Sequence, residues 1–108
     1  MAKRIPEDIK AQVDDIVAQF NRTVIRNPGA FFVTRYRGQY LYLDRFSYSR
    51  KARPRGRLTY TGDMNKWEFA IYKYSDERYD PDEWMFTGAG HLDGTVEGAL
   101  KACMAAYP

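Results

Sequence analysis

Residues 30–48 read AFFVTRYRGQYLYLDRFSY, β-branched and aromatic side chains broken once by Gly38. Runs of this composition favour strands, and a lone glycine between two of them marks a tight turn. The stretch predicts two antiparallel strands, roughly 30–37 and 39–48, joined at Arg37–Gln39. Alternate side chains of a strand point to opposite faces, and directly paired residues share a face. With an even number of turn residues, Phe32, Thr34, Tyr36, Leu41, Leu43 and Arg45 fall on one face. Phe31, Val33, Arg35, Arg37, Tyr40, Tyr42, Asp44 and Phe46 then fall on the other. An odd turn flips one strand and dissolves the pattern. The leucine face is the natural core side, which leaves Arg35, Arg37, Tyr40 and Tyr42 on the exposed side.

Upstream lies an amphipathic helix. Pro6 suits the first helical position, and Glu7 and Asp8 follow where the positive end of the helix dipole favours acids. Ile9, Val13, Ile16, Val17, Phe20 and Val24 recur at the helical period, and Asn27-Pro28-Gly29 ends the run. Downstream, Ser49–Gly56 is basic, holds Pro and Gly, and reads as a loop. A second hairpin follows in RLTYT, the turn GDMN, and KWEFAIYKY, where Trp67, Phe69 and Ile71 share one parity as core. SDERYDPDE is acidic and reads as a solvated turn; WMF (84–86) is a candidate fifth strand. DGTVEGALKACMAAY predicts a closing helix, capped by Asp93 or Thr95, with Val96, Leu100, Cys103 and Tyr107 on one stripe. The order implies an α+β domain over residues 1–108: N-terminal helix, antiparallel sheet of four to five strands, C-terminal helix, both helices on one sheet face.

Charge is distributed unevenly. The net charge is only +3, yet ten basic residues and a single acid, Asp44, lie between Arg22 and Arg57. The second half of the chain is acidic, so a bipolar surface is expected rather than a uniformly cationic one. The N-terminus has no apolar run of a signal peptide, and no stretch approaches the ~20 apolar residues of a membrane span. One cysteine, Cys103, excludes an internal disulfide and fits the reducing cytoplasm.

The basic segment RFSYSRKARPRGRLTYTG (45–62) raises the functional question. Arginines beside flat aromatic rings suit single-stranded nucleic acid, because bases stack on rings while guanidinium groups meet phosphates. The candidate contact residues are Arg35, Arg37, Tyr40, Tyr42, Arg45, Tyr48, Arg50, Lys51, Arg53, Arg55 and Arg57. The plainer account is an ordinary solvated strand and loop, with Asp44 pairing Arg35. A further alternative is association with a protein partner or a second copy, basic face against the acidic 76–83 segment.

Catalytic and cofactor chemistry finds little support. TGAGHLDGTVEGAL (87–100) has the glycines of a strand-to-helix turn, but too little chain follows for a dinucleotide-binding unit of ~30 residues. His91 sits in that turn and Cys103 on the apolar stripe of the last helix, so a Cys–His pair requires the turn to fold back. His91 and Asp93 lack further soft ligands for zinc, and the acidic segment lacks the alternating spacing of a calcium loop. No cofactor, no metal and no catalytic residue is expected; the reading is a binding module.

The layout of helix, RYRG strand, RLTYT, KWEFAIYKY (66–74), acidic segment and closing helix resembles small prokaryotic domains of unknown function. Such families have no assigned activity, so the resemblance carries over no functional residue. The helix–strands–helix order also echoes double-stranded RNA-binding domains. Those open their last helix with a lysine cluster, whereas Asp93, Gly94, Thr95, Val96 and Glu97 stand here.

Overall fold

The computed structural model describes residues 4–48, 51–83 and 85–107. Strands β1 (Phe31–Arg37) and β2 (Tyr40–Phe46) form the expected hairpin. Their register runs from Phe31↔Phe46 to Arg37↔Tyr40, which leaves a two-residue turn of Gly38 and Gln39. Gly38 has φ 60°, the left-handed backbone that the first centre of a type II′ turn requires. The turn is therefore even. Phe32, Leu41 and Leu43 face the core at 2% exposure or less, and Arg35, Arg37, Tyr40 and Tyr42 share the opposite face.

Strands β3 (Ala52–Thr59), β4 (Glu68–Lys73) and β5 (Arg78–Asp80) continue as an antiparallel meander in the order β1-β2-β3-β4-β5. Two expectations are corrected. The basic link does not remain a loop as far as Gly56, because pairing with β2 resumes at Phe46↔Ala52. Pro54 fits inside this central strand through a bulge: β2 runs on from Leu43 to Asp44 while β3 steps from Gly56 to Pro54, leaving Arg55 as the extra residue. The fifth strand is not WMF either. Trp84 lies outside the described residues, Met85 and Phe86 are not in a strand, and β5 lies within the acidic stretch, with Tyr79 paired to Tyr72.

Helix α1 (Glu7–Phe20) starts directly after Pro6 and carries Glu7 and Asp8 in its first turn. Its last turn widens into a π-helical segment, Asn21–Ile25, where Arg26 N–H donates to the Asn21 carbonyl at 2.8 Å and Arg26 takes φ 54°. That extra residue per turn rotates Val24 off the apolar stripe to 41% exposure, contrary to the sequence expectation. Helix α2 (Val96–Ala106) is capped by Thr95, whose hydroxyl accepts from the Gly98 N–H at 3.0 Å; Asp93 in turn accepts from the Thr95 N–H and hydroxyl.

Both helices pack on the leucine face. Val13, Val17 and Phe20 of α1 join Val96, Leu100 and Cys103 of α2 in one cluster with Phe32, Leu41, Leu43 and Leu58. Tyr36 donates to Asp14 of α1 at 2.6 Å, and a Cβ built on Gly56 would lie 3.0 Å from the Cys103 sulfur. Each fully buried leucine contributes about 1.5–3 kcal/mol by leaving water. The outer edge of β1 is closed by the π segment. Asn21 donates to the Phe32 carbonyl and accepts from its N–H, both at 2.9 Å, as a neighbouring strand would.

Candidate functional site

Opposite the helices the sheet curls. The Arg35 guanidinium on β1 reaches the Tyr79 hydroxyl on β5 at 3.5 Å, across all five strands. The rings of Tyr42 on β2 and Tyr79 lie 5.3 Å apart. A flat sheet would hold those strands about 14 Å apart at the usual strand spacing. The strands therefore coil, and the side chains lean inward over Ala70, which is 2% exposed although it lies on this face.

On that face arginines and tyrosines alternate. Arg35 lies over the Tyr42 ring at 4.5 Å, and Arg57 over Tyr40 at 4.6 Å and Tyr79 at 5.5 Å. Such pairs contribute about 0.5–1 kcal/mol each when exposed, and they hold the guanidinium groups close to the rings. Arg37 is exposed beside Tyr40, across the strand pair. Arg35 is not a free charge. Its Nε donates to Asp44 Oδ2 at 2.8 Å and its Nη2 to Oδ1 at 3.4 Å, and the hydrogen bond to Asp44 raises its pKa. The pairing of Arg35 with Asp44, offered above as the plain account, is thus present, and Asp44 is buried beneath it. Burial, followed by the Asp44 charge, pushes the Tyr79 hydroxyl up to about 12.

The remaining basic residues lie elsewhere. Arg45 pairs with Phe32 and Arg53 and so points to the helix side, its guanidinium 5.4 Å from the Phe32 ring centre. Arg55 in the bulge lies over Tyr107 at 5.1 Å, at the end of α2, and donates to the Pro54 carbonyl and the Tyr74 hydroxyl. Tyr48 leans on Gly29 and accepts from Asn27, away from both faces. Lys51 and Arg53 are exposed, and Arg50 lies outside the described residues. The sequence candidates thus divide into an open-face group, a helix-side group at the sheet end, and the connecting link.

Sequence reasoning missed what joins the first two groups. A chain of rings runs Tyr42–Tyr79–Tyr72–Tyr74–Tyr107, with successive centroids 5.3, 5.0, 4.9 and 5.3 Å apart. It begins on the open face and ends where Arg55 lies over Tyr107. Strand parity could have placed Tyr72 and Tyr79 with Tyr42 only if β5 had been recognised.

Among the described residues other candidate chemistry is not assembled. His91 is exposed ahead of α2, while Cys103 is fully buried beneath Gly56 and burial pushes its thiol up to about 12. The acidic segment is largely matched internally: Lys73 lies 3.2–3.9 Å from Glu83, Asp80 and Asp76, and Arg78 3.5–3.9 Å from Asp80 and Asp76. A cavity of about 690 Å³ beside β4 is walled mainly by Leu58, Trp67, Phe69 and Ala99, with Glu68 and Glu83 as its acidic members. Among the described residues no helix is long and apolar enough to cross a membrane. No protein-family model, no curated protein and no solved structure matches the chain.

Proposed function

We propose that the protein is a cytoplasmic binding module that holds single-stranded nucleic acid on the open sheet face. The observation that carries this reading is the alternation of guanidinium groups and tyrosine rings across one curled face. Bases would stack on Tyr40, Tyr42 and Tyr79 at about 1–3 kcal/mol per base, while Arg37 and Arg57 meet phosphates. Duplex bases are already stacked on one another and cannot reach these rings. The alternative, pairing of basic and acidic surfaces between two copies, has less support because Lys73 and Arg78 already engage Asp76, Asp80 and Glu83.

Fluorescence anisotropy with labelled single- and double-stranded oligonucleotides across a salt series tests the proposal. Single strands should bind more tightly, and the slope of log K against log salt should be about −1.4 for two phosphate contacts. Arg37→Glu combined with Arg57→Gln should weaken binding at least tenfold, and Lys101→Glu, on the far side of α2, should not. No binding at low salt, or binding indifferent to salt, sinks the idea.

A further inference from the structure

The backbone of β4 leaves a gap at the sheet edge. The closing pair of a two-residue hairpin is hydrogen-bonded, so Tyr40 turns its backbone groups toward β1 and Leu41 toward β3. The Tyr60 N–H accordingly donates to the Gln39 carbonyl at 2.9 Å, on the β2 side. Counting back by two, Leu58 also faces β2, while Arg57 and Thr59 face β4 and pair with Ala70 and Glu68. Trp67, Phe69 and Ile71 therefore turn their backbone groups outward. The Trp67 N–H meets the Gly94 carbonyl at 2.9 Å, and Ile71 pairs with Asp80 of β5. Phe69 lies between them, beyond the end of β5. Pro81 has no N–H to offer it, and the Asp82 N–H turns back onto Asp80 Oδ1 at 2.9 Å.

The cavity of about 690 Å³ lies along this stretch, with Phe69 in its wall. It wraps the edge of β4. Leu58, Trp67 and Phe69 reach it from the helix side, and Arg57, Glu68 and Ala70 belong to the open face. Its volume is that of a small-molecule site, ~300–1,000 Å³. On β1 the outward groups of Phe32 are met by the Asn21 carboxamide, whereas those of Phe69 face a hollow. One residue's donor and acceptor are too short a rail to seat a strand, and the right span for one flat group.

We infer that this cavity binds one planar nitrogenous base, with the edge of the base against the Phe69 backbone and the Trp67 and Phe69 rings as apolar wall. Every nucleobase carries a hydrogen-bond donor next to an acceptor on its pairing edge. The acceptor takes the Phe69 N–H, and the donor meets the Phe69 carbonyl. The charges at the cavity favour a neutral ligand: an anion would meet Glu68 and Glu83, and a cation would meet Arg57. A purely apolar ligand would cover both backbone groups without satisfying them, which is costly. The base belongs either to a free nucleoside or to a strand from which it has turned out. Only the second source rests on the open-face reading; the cavity stands without it.

Amide NMR spectra recorded during titration with uridine and with 3-methyluridine test it. Uridine should shift the Phe69 N–H resonance, and 3-methyluridine, which has lost the donor, should bind about tenfold more weakly. Gly90→Phe and Leu92→Trp narrow the cavity and should each abolish the uridine response. A Cβ on Gly90 meets nothing within 4 Å, so that variant should keep the fold. Equal binding of the two nucleosides, or uridine binding that survives in both variants, overturns the inference. A single-stranded oligouridylate separates the sources. If it shifts the Phe69 resonance at lower concentration than uridine, and Arg37→Glu weakens the oligouridylate alone, the base comes from a strand. Uridine binding with no response to the oligouridylate assigns a free nucleoside and counts against the open-face reading only. Salt-dependent oligouridylate binding with the Phe69 resonance unmoved by either ligand overturns this inference and leaves that reading standing.

Discussion

Arg35 lies on the open face with a buried carboxylate beneath it, whereas Arg45, on the next strand, lies on the helix side with another arginine as its charged neighbour. Asp44 separates the two cases. It is adjacent to Arg45 in sequence, yet alternation along β2 sends it to the face of Arg35. The same basic run therefore yields one neutralised pair and one uncompensated pair. A count of charges along the chain cannot distinguish them, because what matters is which acid shares a face with which base. The neutralised arginine organises the open face, where Arg57, over Tyr40, has no carboxylate partner among the described residues.

The sharpest way to break this contrast is at the bulge that separates the two groups. A Cβ on Gly56 would lie 2.6 Å from the Phe69 ring and 3.0 Å from the Cys103 sulfur. Gly56→Val should cost about 1–3 kcal/mol by overpacking, read as a lower urea midpoint. Asp44→Asn should have a smaller effect, about 1–2 kcal/mol, because the charge-assisted bonds to Arg35 are lost while the shape is kept. It should also free the Arg35 charge, tighten oligonucleotide binding and steepen its salt slope by about 0.7. Unchanged affinity would show that Arg35 does not meet the strand.

A further expected effect is a loss of stability in alkali. Tyr79 titrates near 12 in the folded protein against an ordinary 10.0, and Cys103 near 12 against 9.0. Both pKa values are raised on folding, so their stabilising contribution is complete below pH 9 and declines as pH rises toward 12. Urea midpoints measured from pH 8 to 11 should fall, and Tyr79→Phe and Cys103→Ala should each flatten the decline. The tyrosine contribution is modest, because its ring is only half-buried.

The hairpin was legible because its signal is local: a period of two and a glycine where a positive φ is needed. That was enough to place Arg35, Arg37, Tyr40 and Tyr42 together. Both helices were legible for the same reason, except at Val24, where a π turn breaks the period without a composition signal. The face of Arg45 followed from the same register, but the positions of Arg53 and Arg55 were not legible, because a bulge is a mismatch between two strands and neither strand's sequence reveals it alone. β5 was hidden by its length of three residues and its acidic flanks. The tyrosine chain depends on the curl of the whole sheet, so no window of sequence contains it.

Asn21 has a consequence beyond the hairpin it closes. A five-stranded meander has two outer rails of backbone N–H and carbonyl groups on which another chain can build a strand. On β1 the carboxamide occupies that rail at Phe32, and on β5 the rail ends after three residues. The two rims therefore offer little template for edge-to-edge growth. This lets the chain keep an arginine- and tyrosine-rich sheet face uncovered without inviting its own copies to polymerise along it.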